Sequence, residues 1–418
     1  MKKISTDGII NIDINMIKNK KNQLRVPYAF TVFGKEEREA VKEALESAQI
    51  VAGKRAAEFE AQIAKLFGKK FGLLVNSGSS ANLLAFEVLN LPAGSEVITP
   101  VLTFATTVAP IIKKGLVPAF VDVELGKYTL DIDQVEKMIN SKTRALMVPS
   151  LFGNVPDLPR LQQLAKKHKL YLIEDSCDTL GATINGKPTG VYSDISTTSF
   201  YASHIVTAAG EGGMICVNNP EWNRRVRVLS GWGRRSALNE SEDIAVRFQT
   251  KLDGQPYDSK FIFEEIGYNF RTTDIAAAFA LAQLKKLDKF SEIRIKNFQE
   301  LLDFFQNYQN FFILPKQLKT VRTNWLSFPL LIKNGSPFSR MEIVTHLEKN
   351  NIQTRPMFTG NILKQPGFIN IKKKELKGGY PNADFIMKNS FVVGCHHGLE
   401  KKHLDYLKKV FSDFLGKF

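Results

Sequence analysis

Cysteine is scarce in this sequence. Only Cys177, Cys216 and Cys395 are present, far apart and without a CxxC pair. That spacing excludes a disulfide framework and a zinc knuckle, because both need clustered or evenly paired thiols. We therefore expect the three side chains to be reduced thiols.

Long apolar runs are also absent. No run approaches the roughly 20 residues of a membrane span, and the 44% hydrophobic and 24% charged residues are typical of a globular protein. The N-terminal segment 1–20 is basic, but polar residues interrupt each of its apolar stretches, so it lacks the core of a secretory signal. The sequence predicts a cytoplasmic protein without a membrane partner.

Negative charge is in deficit, with 57 Lys and Arg against 42 Asp and Glu and a net charge of +15. Such an excess suits polyanions or a smaller diphosphate ligand. The lysines fall in scattered pairs, and no basic helix with interleaved aromatics or DNA-reading motif is present. Nucleic acid is therefore not the expected partner.

Short Val/Ile/Leu runs alternate with amphipathic stretches from about residue 35 to 220. This rhythm predicts an α/β fold with a mostly parallel central sheet flanked by helices. A helical stretch from Thr273 to Asn297 leads into a smaller C-terminal α+β unit, and segment 364–379 is rich in turn residues. We predict an N-terminal arm at 1–34, a large domain at 35–290 and a small domain at 291–418.

Three segments carry candidate chemistry. Asn76–Asn82 joins a strand to a helix, and its small residues suit either a phosphate or ordinary helix capping. An apolar strand ends in the acidic cluster Glu174–Asp178, which suits a pyridine nitrogen, a helix cap or a metal. His204 precedes a glycine-rich turn, but a lone histidine is more often a packed or surface residue. None of the three decides the function alone.

In this order the three segments resemble the DegT/DnrJ/EryC1/StrS family of sugar-nucleotide enzymes, together with segments 99–107, 115–124 and 267–275. The resemblance runs from about Phe33 to the C-terminus. It implies a fold-type I transferase dependent on pyridoxal 5'-phosphate and active at least as a homodimer. The cofactor-binding residues that it implies are Ser79, Ser80 and Ser199 at the phosphate, Phe104 stacked on the ring, Asp175 at the ring nitrogen, Asp178 where the family often has glutamine, and Asn269 reaching a neighbouring subunit's phosphate.

His204 marks the departure from the family's aminotransferases, which have at this position the lysine that forms a Schiff base. No lysine lies between Lys187 and Lys251, so a small alignment error does not restore one. Histidine here is similar to the sugar 3-dehydratases, CDP-4-keto-6-deoxyglucose 3-dehydrase and GDP-4-keto-6-deoxymannose 3-dehydratase. That similarity implies a pyridoxamine phosphate held non-covalently, with His204 as base and then acid.

The expected substrate is a nucleoside-diphosphate 4-keto-6-deoxyhexose, converted to a 3,6-dideoxy ketosugar for a surface glycan. Candidate ligands for its diphosphate are arginines, which suit phosphate geometry; they are Arg234, Arg235, Arg271 and Arg355. Each of these four arginines could equally be a solvated charge at the protein surface. The resemblance implies glutamate as the donor that regenerates the pyridoxamine form.

Three alternatives stay open at this stage. The CDP-sugar relative carries a [2Fe–2S] cluster fed by a reductase, but such a cluster needs four thiolates and segment 236–248 contains no cysteine. We therefore expect no iron–sulfur cluster and no other metal site. A catalytically silent relative that binds sugar nucleotides or nucleic acid is the second alternative, and ordinary aminotransfer is the third.

Overall fold

A computed structural model describes residues 24–48, 50–238 and 241–418 of the chain. Most of the predicted arm at 1–34 therefore lies outside the described residues. Of the arm, the part from residue 24 onward packs on the body of the protein, where Val26 pairs with Ile352.

The regular elements follow the apolar runs and amphipathic stretches of the sequence closely. The helices are α1 (Lys35–Glu46), α2 (Lys54–Leu66), α3 (Gly78–Leu89), α4 (Ala105–Lys113), α5 (Ile132–Met138), α6 (Leu158–His168), α7 (Pro220–Ser230), α8 (Ile244–Arg247), α9 (Asp274–Leu284), α10 (Leu287–Phe305), α11 (Arg340–Lys349), α12 (Pro381–Asn389) and α13 (Lys401–Leu415). The strands are β1 (Phe71–Val75), β2 (Glu96–Pro100), β3 (Val117–Val121), β4 (Thr143–Pro149), β5 (Tyr171–Asp175), β6 (Thr183–Ile184), β7 (Lys187–Pro188), β8 (Ile195–Ser199), β9 (Gly213–Val217), β10 (Thr250–Leu252), β11 (Gln255–Tyr257), β12 (Phe312–Ile313), β13 (Val321–Arg322), β14 (Ser327–Ile332), β15 (Thr354–Arg355) and β16 (Ser390–Gly394).

The central sheet has seven strands in the order β1-β9-β8-β5-β4-β2-β3. The five strands from β8 to β3 are parallel to one another, and β9 is antiparallel to both of its neighbours. Most of the strand residues are buried, as expected when helices cover both faces of a sheet. The predicted mostly parallel α/β sheet is confirmed.

A second sheet of four antiparallel strands, β12-β14-β16-β15, forms the C-terminal part of the protein with α10 to α13. Its core includes aromatic residues such as Phe305, Phe328 and Phe411, and the same buried cluster continues to Val26, Val101 and Phe152. The C-terminal part therefore packs directly against the end of the central sheet at which β2 and β4 terminate.

The single helix predicted for Thr273–Asn297 is wrong in one respect. The structure has two helices, because α9 ends at Leu284 and α10 begins at Leu287. Lys286 between them has φ −102° and ψ 0°, which is outside helical geometry. The domain boundary predicted at residue 290 stays a prediction, and α10 runs across it without a break.

None of the helices within the described ranges combines the length and the apolar composition that a membrane span requires.

Candidate active site

A cavity of about 350 Å³ opens where β4, β5 and β8 end, with α3 and the segment after β8 forming its sides. In open α/β sheets this carboxyl edge is where ligands bind. The lining residues are Tyr28, Ser77, Gly78, Ser79, Asn82, Phe104, Thr106, Thr107, Pro149, Ser150, Leu151, Asp175, Cys177, Asp178, Ser199, Tyr201, Ser203, His204, Glu211, Leu326 and Phe358. This "His204 cavity" brings together six of the twelve side chains predicted from the sequence.

The N-terminus of α3 forms one end of the His204 cavity. Ser77 caps the helix by accepting a hydrogen bond from the Ser80 backbone N–H at 3.1 Å, and the Ser80 hydroxyl donates to Asn76 Oδ1 at 2.6 Å. Ser80 is buried and is not among the lining residues, whereas Ser79 and Ser199 are. The helix dipole and small side chains at this end suit an anion such as a phosphate.

Gly78 explains why this end is so closely built. A Cβ at Gly78 would lie 2.8 Å from Cys177 Sγ and 2.8 Å from Ser199 Cβ. Only a glycine therefore lets the first turn of α3 lie directly against the ends of β5 and β8. The close approach leaves backbone N–H groups and hydroxyls at the edge of the cavity.

Asp175 ends β5 and is 6% exposed. Its Oδ2 accepts hydrogen bonds from Asn82 Nδ2 and Thr107 Oγ1, each at 2.9 Å, and its Oδ1 accepts from the Cys177 backbone N–H at 3.2 Å. These three donors fix the orientation of the carboxyl group at the edge of the cavity. Asp175 is thus suited to pair with a cationic ring nitrogen.

Asp178 is the second carboxyl group of the cavity and has a different environment. It accepts one hydrogen bond, from the Phe152 backbone N–H at 2.9 Å. Burial, together with the nearby charge of Asp175, raises the pKa of Asp178 to about 7. The two carboxyl groups are three residues apart in the sequence. Asp175 accepts three hydrogen bonds, whereas Asp178 accepts one and is partly protonated near neutral pH.

His204 lies in the turn after β8, half-buried, with Nδ1 3.3 Å from the Ser199 carbonyl oxygen. Because a carbonyl oxygen only accepts, Nδ1 carries the proton and Nε2 keeps a free lone pair. Burial, with a smaller contribution from the charge of the buried Arg294, lowers the pKa of His204 to about 4. A neutral imidazole with a free Nε2 is the form of a general base.

Several cavity residues were missed by the sequence analysis. Tyr28 reaches the cavity from the N-terminal arm, and Leu326 and Phe358 reach it from the C-terminal part. Phe104 is 50% exposed, and its ring lies edge-on to Phe358 at 5.7 Å between centroids. No local motif marks Tyr28 or Phe358, because they reach the cavity only through long-range packing.

The four arginines predicted for the substrate do not line the His204 cavity. Arg234 and Arg271 both lie over the Trp232 ring, with guanidinium carbons 4.4 and 5.5 Å from its centroid. The two arginines line a separate hollow of about 260 Å³, which we call the Trp232 cleft after the ring that both of them approach. The polar residues of the cleft are Glu60, Arg227, Ser230, Arg234, Ser236, Arg271 and Thr272. The Arg234 Nε is buried and has no hydrogen-bond partner among the described residues.

The remaining predicted residues lie elsewhere. Arg235 is exposed and forms an ion pair with Glu264 at 3.3 Å. Arg355 is also exposed, with its guanidinium 5.7 Å from the ring of Tyr28, near the His204 cavity. Asn269 is exposed, and its backbone pairs with Gly231 beside the Trp232 cleft. A single chain therefore does not bring Asn269 to its own cavity.

The three cysteines are free and lie apart. Cys177 lines the His204 cavity and Cys216 lies on β9, while Cys395 follows β16 in the other sheet. Burial raises the pKa of each thiol above its usual range. Within the described ranges no group of His, Cys, Asp or Glu is arranged to hold a metal ion.

These residues fit pyridoxal phosphate. The cradle that Gly78 leaves open suits the phosphate, the anionic Asp175 suits the ring nitrogen, and Phe104 offers an exposed aromatic face beside it. The fold and the site thus define a pyridoxal-phosphate enzyme of the aminotransferase fold.

The chain belongs to the DegT/DnrJ/EryC1/StrS aminotransferase family, whose model matches residues 32–411. It is 36% identical to the lipopolysaccharide biosynthesis protein RfbH of Salmonella typhimurium, covering 94% of this chain and 92% of that protein. It is also 36% identical to the dTDP-4-dehydro-2,6-dideoxy-D-glucose 3-dehydratase of Saccharopolyspora spinosa, over 92% and 86%. A GDP-perosamine synthase of Escherichia coli O157:H7 is 32% identical, over 79% and 84%.

Solved structures agree with this assignment. The E. coli GDP-4-keto-6-deoxy-D-mannose 3-dehydratase with bound hydrated pyridoxal phosphate has a TM-score of 0.85 and 29% identity, covering 93% of this chain and 99% of that one. A GDP-4-keto-6-deoxymannose 3-dehydratase with a trapped PLP-glutamate geminal diamine has a TM-score of 0.84 and 29% identity, over 92% and 99%. The relatives therefore include 3-dehydratases and, with the perosamine synthase, aminotransferases.

Proposed function

We propose that this protein is a pyridoxamine-phosphate-dependent 3-dehydratase of a nucleoside-diphosphate 4-keto-6-deoxyhexose. The observation that carries the proposal is His204, a neutral imidazole with a free Nε2, in the cavity position where aminotransferases of the family have lysine. Of the described residues that line the cavity, none is a lysine. The cofactor is accordingly held without a covalent bond to the protein.

The residues of the chain divide the work of the reaction. When bound, the pyridoxamine phosphate supplies an amine for the 4-keto group and a cationic ring that accepts electrons. With the cofactor bound, His204 Nε2 would take the proton from the cofactor carbon that carries the amine. The resulting imidazolium would donate that proton to the departing C3 hydroxyl, which would leave as water. Asp175 keeps the ring cationic while this proton moves.

Glutamate is the proposed donor that restores the amine, and the 3-deoxy product is released with ammonia. A GDP-4-keto-6-deoxymannose 3-dehydratase has been trapped with glutamate and the cofactor, which supports this part of the proposal. The three cysteines of the sequence are too few for the four ligands of a [2Fe–2S] cluster, which argues against the reductase-coupled route.

Incubation with pyridoxal phosphate, glutamate and a panel of nucleoside-diphosphate 4-keto-6-deoxyhexoses tests the proposal. Mass spectrometry is expected to detect a sugar product that has lost one oxygen, with one ammonia and one 2-oxoglutarate per turnover. A 4-amino product that retains the C3 oxygen would show aminotransfer instead. Cofactor absorbance without turnover of any sugar would favour the silent binding protein, and stoichiometric iron and sulfide after anaerobic purification would revive the cluster route.

A further inference from the structure

The Asp175 carboxylate is held by a buried network that joins four elements of the fold. Asn82 on α3 is 1% exposed and Thr107 on α4 is 1% exposed, and both donate to Asp175 Oδ2 at 2.9 Å. Thr197 on β8, fully buried, donates to Asn82 Oδ1 at 2.6 Å. No charged side chain other than Asp175 takes part in these bonds.

The orientation of the Asn82 amide follows from its neighbours. Its Nδ2 lies against two acceptors, the Asp175 carboxylate and the Thr106 carbonyl at 3.3 Å, while its Oδ1 faces the Thr197 hydroxyl. A flipped amide would set its oxygen against both acceptors, so the donating orientation is the only one that satisfies the group. Thr197 thereby fixes which atom of Asn82 reaches Asp175.

The two side-chain donors share one oxygen of the carboxylate. Oδ2 accepts both of them, whereas Oδ1 accepts only the Cys177 backbone N–H among the described residues. A carboxylate oxygen has two acceptor sites, so Oδ1 retains one for a further donor. Donors on Oδ2 also lower the proton affinity of the whole carboxylate.

We infer that Asn82 and Thr107 are positioning residues that keep Asp175 anionic, so that the proton shared with the cofactor stays on the ring nitrogen. Removal of either donor raises the proton affinity of Asp175 and moves the shared proton toward it. The inference depends on cofactor binding at Asp175 and not on the dehydratase proposal, so the two fail independently.

The test uses the full chain loaded with ¹⁵N-labelled pyridoxal phosphate, and the readout is the ¹⁵N chemical shift of the ring nitrogen. The parent protein is expected to give the shift of a protonated ring. Thr107→Val and Asn82→Leu each remove one donor and should increase the neutral ring population about tenfold, as expected for one hydrogen bond to a charged group. The double variant should move the shift furthest, and Thr107→Ser should restore it.

Thr99→Val is the matched control, because Thr99 is fully buried and its hydroxyl has no partner among the described residues. If Asn82→Leu does not fold, Thr107→Val and Thr197→Val decide the question, since Thr197→Val leaves Asn82 in place but frees its amide. A ring-nitrogen shift that stays at the parent value in Thr107→Val and in the folded Asn82 or Thr197 variant would overturn the inference.

Discussion

The His204 cavity and the Trp232 cleft differ in the charge of the groups that line them. The cavity has the carboxyl groups Asp175, Asp178 and Glu211, and none of its described lining residues is Lys or Arg. The cleft has three arginines and one carboxylate, Glu60. One chain therefore separates proton-transfer groups from groups suited to a diphosphate.

This difference predicts separate kinetic roles for the two regions, which substitutions can test. If both regions serve one reaction, substitutions in the cavity lower kcat, whereas substitutions in the cleft raise KM. Because the cleft does not line the cavity of its own chain, we propose that a second copy supplies the arginines to the cavity. The proposed homodimer would supply them, with Asn269 beside the cleft.

His204→Asn should have the largest effect. Asparagine retains a polar side chain but has no basic nitrogen, so dehydration should fall by about 10²- to 10⁴-fold, as for loss of a general acid–base group. Cofactor affinity should stay within a few-fold of the parent, as measured by absorbance titration. His204→Lys should form a covalent cofactor adduct that borohydride traps, and dehydration at the parent rate in either variant would contradict the role of His204.

Arg271→Ala and Arg234→Ala should each raise KM for the sugar nucleotide by about 10- to 100-fold, as expected for loss of a charge-assisted hydrogen bond. The kcat should change less than twofold. Steady-state kinetics check this. The exposed Arg144→Ala serves as a control, because Arg144 donates to the carbonyl oxygens of Ser141 and Thr143 at the start of β4 and lines neither region. A loss confined to kcat would place these arginines outside substrate binding.

A mixed population of His204→Asn and Arg271→Ala chains tests the second copy directly. If the cleft of one subunit serves the partner's cavity, the mixed dimer contains one intact site and regains activity. If each chain uses its own cleft, both sites of the mixed dimer are damaged, and at substrate concentrations far below the raised KM the activity stays at the sum of the two separate variants.

Asp178→Asn should change the pH dependence of stability rather than substrate affinity. The folded pKa of about 7 lies above the ordinary value of 3.8, so the native state binds the proton more tightly and stability falls as pH rises from about 4 to 7. Asparagine removes that penalty, which is on the order of 4 kcal/mol above pH 7. Calorimetry of the cofactor-free protein at pH 5 and pH 8 should show a larger Tm increase for the variant at pH 8 than at pH 5.

Arg235→Ala should have the smallest effect. Arg235 is exposed and its ion pair with Glu264 is at the surface, so stability should change by less than about 1 kcal/mol. KM should stay within twofold of the parent. A KM increase as large as that of Arg271→Ala would show that Arg235 also binds the diphosphate, so that the proposed diphosphate site extends beyond the Trp232 cleft.

Local patterns predicted what depends on local chemistry. The apolar runs correctly predicted the strands from β1 to β5, because buried parallel strands need continuous hydrophobic residues. The motif after β8 also led to His204, which lies in the cavity with Ser199 and Asp175. The break at Lys286 was missed because helical periodicity continues through it.

The remaining site contacts depend on residues far apart in the sequence, and such contacts produce no local sequence pattern. Asn82 reads as one residue of a polar turn, yet its partners Asp175 and Thr197 are 93 and 115 positions away. The arginines were grouped by their chemistry, but packing put Arg235 on the surface and Arg234 beside Trp232. Charge alone does not tell a ligand contact from a surface ion pair.

Tyr28 determines when, during synthesis of the chain, the His204 cavity can be completed. Its backbone N–H donates to Gln353 Oε1 at 3.0 Å, and the neighbouring Val26 exchanges backbone hydrogen bonds with residues 351 and 353. The side of the cavity that Tyr28 forms depends on these contacts, so it cannot form on the ribosome until more than 350 residues have been synthesised. The cavity is therefore complete only late in biosynthesis, after the strands of the central sheet have all been synthesised.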